Sequence, residues 1–422
     1  QLERAAAPRG RGQASSRGAV RHRAPVLCVA RLQPTMDDAA GLPDYRGMEI
    51  LSPMVRGSCL PLRLCCLQYG AGLVYSGVTI DRSILECVRV ENAEFGCVDY
   101  INREEGKVIY STCAQERERL IFQLGTCDAG LATRAALHVC RDVRGIDINM
   151  GCTAPFSTSG GMGAELLEKP EVVADILKSL RRELPAETAL SCKIRMLPTV
   201  AQTCDFMQLC ERSGANAVAV HMRTPAEDRN KGQPAHWDAA AQLCSAVNIP
   251  VIANGDFLSR SHIAEFWERL GASTCGENAA APAALMVARG ALWNPSIFSR
   301  QEQVPFDDVV RNYIRTAARV NNIFFNTKWA LREMVSQNEQ KPASLNFAGL
   351  QGAALRRFRN KVDNLPNMSE CCKLFGVDHD TSAYPHKAFA IDYGRRLLPA
   401  SAAVPPPPPA SNGGGGCGTA AA

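Results

Sequence analysis

The strongest constraint in this chain is a rhythm. Eight short apolar runs, at 49–53, 72–76, 120–125, 145–151, 190–195, 217–221, 250–255 and 284–290, each end in small or polar residues, and most are followed by a helix-like stretch. Eight β-like runs alternating with helices over about 240 residues is the count a (β/α)₈ TIM barrel requires. A doubly wound open sheet is the alternative, because periodicity does not report closure. The long gap between the second and third runs holds Phe95 to Tyr100 and Lys107 to Ser111, which read as an inserted hairpin. After about residue 302 the strands stop. Val309, Val310, Tyr313 and Ile314, then Trp329, Ala330 and Met334, stand near helical spacing and predict helices over 307–320 and 327–335. The predicted class is therefore α/β, a (β/α)₈ barrel followed by a small all-helical domain. The predicted segments are a disordered or targeting stretch (1–44), the barrel (45–302), the helical domain (303–398) and a low-complexity tail (399–422).

Charge placement narrows the partners. The net charge is +5, but residues 1–35 alone carry +6, residues 36–302 carry −6 and residues 303–398 carry +5. A polyanion site is expected toward the back of the chain or at its junction with the acidic body. The arm at 1–35, rich in Arg and Ser and poor in acids, reads as a transit peptide, a disordered arm, or translation upstream of a start at Met36 or Met48. Pro405 to Pro409 and Gly413 to Gly416 cannot bury a core. The 18 cysteines are scattered and form no paired CxxC units, so reduced thiols are expected, with no metal site. No stretch approaches a membrane span. A monomer in the cytoplasm or nucleus is the expectation, with organelle import if the arm is a transit peptide.

In a parallel barrel the carboxyl ends of the strands converge on one face, so polar residues there are the first functional candidates. This chain places Pro53, Met54, Val55 and Arg56 after the first run, Gln123 in the third, and Asn149 to Cys152 after the fourth. Lys193 and Arg195 lie in the fifth, His221 and Arg223 end the sixth, Asn254, Gly255 and Asp256 end the seventh, and Ala288, Arg289 and Gly290 end the eighth. A Lys and a His with amide side chains and glycine turns suit a planar anionic ligand, and the last two loops suit a phosphate. Flavin mononucleotide meets that demand, with a Lys to stabilise its reduced anion; a phosphorylated sugar substrate needs the same phosphate grip. Cys152 leads into the glycine-rich run Ser157 to Gly163 and reads as a proton donor or nucleophile at the barrel mouth, with a buried structural thiol as the alternative. Arg311, Arg315 and Arg319 at spacings of four, with Arg356 and Arg357 beyond, form a solvated face or a phosphate-contacting stripe.

The segments Ser52-Pro53-Met54-Val55-Arg56, Phe122-Gln123-Leu124-Gly125-Thr126, Asp147-Ile148-Asn149-Met150-Gly151-Cys152, Gly160-Gly161-Met162-Gly163-Ala164, Cys192-Lys193-Ile194-Arg195, Val220-His221 and Ala253-Asn254-Gly255 resemble the tRNA-dihydrouridine synthases. Met286 to Arg289, with Trp293 to Phe298, is most similar to the eukaryotic branch that reduces uridine 20 of tRNA. The resemblance runs from about Met48 to about Phe375. It implies a flavin barrel, a helical domain that grips tRNA, and NADPH or NADH as reductant. Carried over residue by residue, it makes Pro53, Met54, Val55, Gln123, Lys193, His221, Asn254, Gly255, Ala288 and Arg289 flavin contacts, Asp256 falling in the same group, and Cys152 the proton donor. The chain departs from the family at Thr153 (usually Pro), Ser159 (Lys) and Met222 (Gly), the last expected to crowd the ligand. Val74 to Thr79 also lacks the acids the relatives carry there, and Gly276 to Ala284 reads as an insertion. Other classes left open are a catalytically silent tRNA-binding protein on the same scaffold and a flavin barrel acting on a small metabolite.

Overall fold

A computed structural model of the chain describes residues 41–227, 233–273, 280–300, 304–337, 339–342 and 344–378. The arm at 1–35, the tail at 399–422 and residues 276–279 of the alanine-rich insertion lie outside the described residues. The strands in chain order are β1 (Met48–Leu51), β2 (Leu73–Tyr75), β3 (Thr79–Ile80), β4 (Cys87–Asn92), β5 (Cys97–Asn102), β6 (Val108–Thr112), β7 (Leu120–Gly125), β8 (Gly145–Met150), β9 (Ala189–Arg195), β10 (Ala217–His221), β11 (Val251–Asn254) and β12 (Ala284–Val287). The sheet order β2-β1-β12-β11-β10-β9-β8-β7 closes through a parallel β2–β7 pairing. It is a closed eight-stranded parallel barrel, and the open-sheet alternative is excluded. The two-residue β3 pairs with the end of β7 at the rim.

Strand alternation sorts the side chains. On β9, Leu190, Cys192 and Ile194 pack outward into the apolar layer beneath the helices, while Ala189 joins the inner cluster. The same phase puts Ala217 and Ala219 of β10 inside and Val218, Val220 and Met222 outside. Met222 is thereby turned into the outer core, fully buried and away from the bore, which corrects the expectation that it crowds the ligand. The lower bore is filled by Tyr45, Ile50, Leu73, Tyr75, Ile121, Ile252 and Met286, large residues set against Ala189, Ala217, Ala219 and Ala284. Gly145 belongs to this tight layer, since a β-carbon there would lie 2.7 Å from that of Ala189.

The insertion between β2 and β7 is a three-stranded antiparallel sheet, β4-β5-β6, rather than the expected hairpin. The added strand β4 carries Arg89 and Glu91 among its apolar residues, and Arg89 is tied by its guanidinium to Asp142 at 2.7 Å. Beyond residue 303 the described elements are helices and helical turns: Phe306–Arg319, Phe324–Met334, Gly352–Asp363 and Met368–Phe375. The first buries Val309, Val310, Tyr313, Ile314, Ala317 and Ala318 and packs on the helix Leu60–Gln68 that follows β1. Asn312 donates to Gln68 Oε1 at 3.0 Å across that contact. Among the described residues no helix is long and apolar enough to cross a membrane, no group of acidic, His or Cys residues could hold a metal, and no cysteine is paired.

Candidate active site at the barrel mouth

The inward phase that is apolar low in the bore turns polar toward the carboxyl ends. Register pairs Gln123 with Asp147, Asp147 with Ser191, Asn149 with Lys193, and His221 with both Arg195 and Asn254. The lower polar layer is internally satisfied. Asp147, fully buried, accepts from Gln123 Nε2 at 2.8 Å and Ser191 Oγ at 2.7 Å, and Asn149 Nδ2 donates to Gln123 Oε1 at 3.2 Å. Burial pushes the Asp147 carboxyl up to about 6, against the pull of its two hydrogen bonds and of Lys193. Asp147 and Ser191 were not among the sequence candidates; their signal is the strand phase shared with Gln123 and Lys193.

Above this layer the charge is positive. Lys193 is pushed down to about 8, first by burial and then by Arg195, while Asp147 and Cys152 act in the other direction. Among the described residues its ammonium has no hydrogen-bond or ion-pair partner. His221 is held well below its usual range by burial, and then by Lys193, Arg195, Arg223 and Arg289, so it is neutral at pH 7. Asp256 organises two of these cations. Its carboxylate accepts from Arg223 at 2.5 Å and Arg289 at 3.0 Å, and from the Ala235 backbone N–H at 2.9 Å. Asp256 sits at φ 57° after Gly255 at φ 136°, and a β-carbon on Gly255 would lie 2.8 Å from that of Ala235. Asn254 donates to the Met286 carbonyl at 2.7 Å, and Ala288 leads directly into the short helix Arg289–Trp293. Pro53 and Met54 are half-buried and Val55 is exposed on the β1 loop, where the Met54 N–H donates to Ser58 Oγ at 3.0 Å and that hydroxyl donates to the Ser52 carbonyl at 2.7 Å.

Cys152 follows β8 at the same mouth, half-buried. Its N–H and that of Gly151 donate to Asn149 Oδ1 at 3.1 Å, and its carbonyl accepts from the Ala164 N–H at 2.9 Å. Among the described residues its thiol has no hydrogen-bond partner, so the side chain is held only through its backbone. Gly163, at φ 63°, closes the glycine-rich loop on it; a β-carbon there would come within 2.5 Å of the Cys152 carbonyl oxygen. The arrangement presents an unpaired ammonium, a cluster of arginines and one thiol to a shared space. It suits an anionic ligand beside a group that accepts a proton.

The five arginines expected to meet nucleic acid lie on the helical region. Arg315, Arg319, Arg356 and Arg357 are exposed. Arg311 is instead engaged within the region: it donates to the Phe375 carbonyl at 3.1 Å, pairs with Asp308 at 3.4 Å and lies over the Phe347 ring.

The dihydrouridine synthase (Dus) family model matches residues 50–341. A Schizosaccharomyces pombe protein named tRNA-dihydrouridine(20) synthase (NAD(P)+) is 33% identical over 71% of this chain and 62% of its own length. The Saccharomyces cerevisiae protein of that name is 35% identical over 69% of this chain and 78% of its own. A Mus musculus tRNA-dihydrouridine(20a/20b) synthase (NAD(P)+)-like protein is 32% identical over 61% and 71%.

Proposed function

Because the chain belongs to the dihydrouridine synthase family, we propose that it is an FMN-dependent tRNA-dihydrouridine synthase that uses NADPH or NADH, acts on uridine 20, and protonates its substrate from Cys152. The observation that carries the reading is the meeting, at one barrel mouth, of Cys152 with Lys193, whose ammonium has no hydrogen-bond or ion-pair partner among the described residues. The choice of uridine 20 rests on the names of the two yeast relatives.

The residues present fit flavin mononucleotide: a Lys without an acceptor, arginines oriented by Asp256, and a glycine turn that a β-carbon would fill. Lys193, His221, Asn254, Gly255 and Arg289 would hold it, with Gln123, Ala288 and the loop Pro53 to Val55 beside them. When bound, the flavin supplies hydride to carbon 6 of the uracil. Cys152 then delivers its Sγ proton to carbon 5, quenching the enolate left on the base. The uridine must leave its stack to reach that thiol, so the mouth has to receive an extruded base. The exposed arginines of the helical region suit the rest of a polyanion.

The direct test incubates the purified, flavin-loaded chain with NADPH and an unmodified tRNA transcript. Dihydrouridine at position 20 is the expected product; a flavin-loaded protein that forms none overturns the reading. Two further outcomes follow. Affinity for flavin mononucleotide is expected to fall as pH rises through about 8, because Lys193 is an ammonium only below about 8. Lys193→Met should remove that inflection in a titration followed by flavin fluorescence and bind weakly throughout. Gly163→Ala should displace the Cys152 carbonyl and lower turnover by about ten- to a hundredfold, since small misplacements at a reacting centre are costly. Its flavin content, read by absorbance, should not change.

A further inference from the structure

Among the described residues seven large apolar side chains are exposed, and they are not spread evenly. Three of them, Val55, Ile323 and Phe325, belong to the loop after β1 and to the start of the helix Phe324–Met334. That helix is docked on the β1 loop: a β-carbon on Gly57 would lie 3.5 Å from the Trp329 ring and 3.6 Å from Leu292. Phe325, one turn before Trp329, is 56% exposed, and the Arg56 guanidinium lies 5.1 Å from its ring centroid. Arg56 has no ion pair among the described residues, and its backbone is held left-handed at φ 62°, a conformation a β-carbon disfavours. An aromatic face, a guanidinium and flanking apolar groups are thus held together where the helical region meets the barrel mouth.

We propose that Arg56 and Phe325 form a stacking rim for an unpaired nucleobase of the tRNA next to the uridine being reduced. The proposal rests on the reading above and adds a positioning element to it. A flat exposed ring beside a guanidinium is the surface on which single-stranded bases stack, whatever their identity. Charge favours RNA over a protein partner. An apolar protein patch seated here would strip water from an unpaired Arg56, whereas RNA offers both a π-face and a phosphate.

The test uses the flavin-loaded full chain and an unmodified tRNA transcript. Phe325→Ala is expected to raise the KM for tRNA at least about fivefold, the effect of losing one base–aromatic stack, with flavin content and kcat essentially unchanged. Phe325→Trp should restore KM, and Leu137→Ala, which removes another exposed side chain from the helix Ala129–Val139, should leave it alone. An unchanged KM in Phe325→Ala overturns the rim and leaves the patch to a protein partner. If the wild-type chain forms no dihydrouridine, the reading of function fails by itself. The Kd of the same transcript then decides the rim: raised in Phe325→Ala it stands, unchanged it falls.

Discussion

Cys152→Ala is expected to lower dihydrouridine formation by at least about a hundredfold while the protein remains yellow and binds tRNA normally. Loss of a positioned general acid typically costs about 10²- to 10⁴-fold. The substitution isolates that role unusually well. Cys152 itself is held through its backbone, its N–H donating to Asn149 Oδ1 and its carbonyl accepting from the Ala164 N–H, and alanine keeps both. Among the described residues the thiol has no hydrogen-bond partner whose loss would disturb the fold. Removing it also leaves Lys193, His221 and the Asp256-held arginines in place, so the flavin should stay. Nucleoside mass spectrometry of the treated transcript gives the rate, and the absorbance spectrum gives the flavin content. A variant that reduces uridine at the wild-type rate would remove Cys152 from the mechanism. A variant that loses its flavin would show instead that the thiol supports the cofactor.

Much of this site is legible in the sequence because barrel strands obey a period of two. Once Gln123, Lys193, His221 and Asn254 are set near strand ends, the same phase that buries Leu190, Cys192 and Ile194 outward forces them inward. What stays hidden is pairing over long separations. Nothing local marks Asp256 as the acid between Arg223 and Arg289, each 33 residues away, because ion pairs across loops leave no periodic trace. The same limit applies to the helical region. Spacing correctly put Arg311, Arg315 and Arg319 on one helix, but it could not show that Phe375 and Phe347 lie opposite the first of them. The strand β4 escaped for a related reason: its Arg89 looks like a surface charge until Asp142 is brought beside it.

The largest stability effect is expected from one such hidden pair. Arg63, on the helix after β1, is 2% exposed, and Glu116, just before β7, is fully buried. The guanidinium donates to both Glu116 oxygens, at 2.8 and 2.7 Å, and to the carbonyls of Ser58 and Ser111, each at 2.7 Å. Thr112 Oγ1 donates to the same carboxylate at 2.8 Å. Burial alone would lower the Arg63 ionisation, but Glu116 overrides it and holds the guanidinium above its usual range. Arg63→Met should therefore destabilise the protein by about 3–5 kcal/mol in denaturant titrations, because it strands a buried carboxylate and two carbonyls. Arg63→Met with Glu116→Leu should recover part of that loss, since removing both charges also removes their desolvation cost. If the double variant is no more stable than the single one, the cost lies in packing rather than in the stranded charge. The pair also reaches the active site. Ser58 takes the guanidinium on its carbonyl and the Met54 N–H on its hydroxyl, so Arg63 ties the inserted sheet to the loop that carries Pro53, Met54 and Val55. In either variant, flavin affinity measured below the denaturation range should fall further than it does in a comparably destabilised variant elsewhere in the barrel, because the β1 loop has lost its anchor.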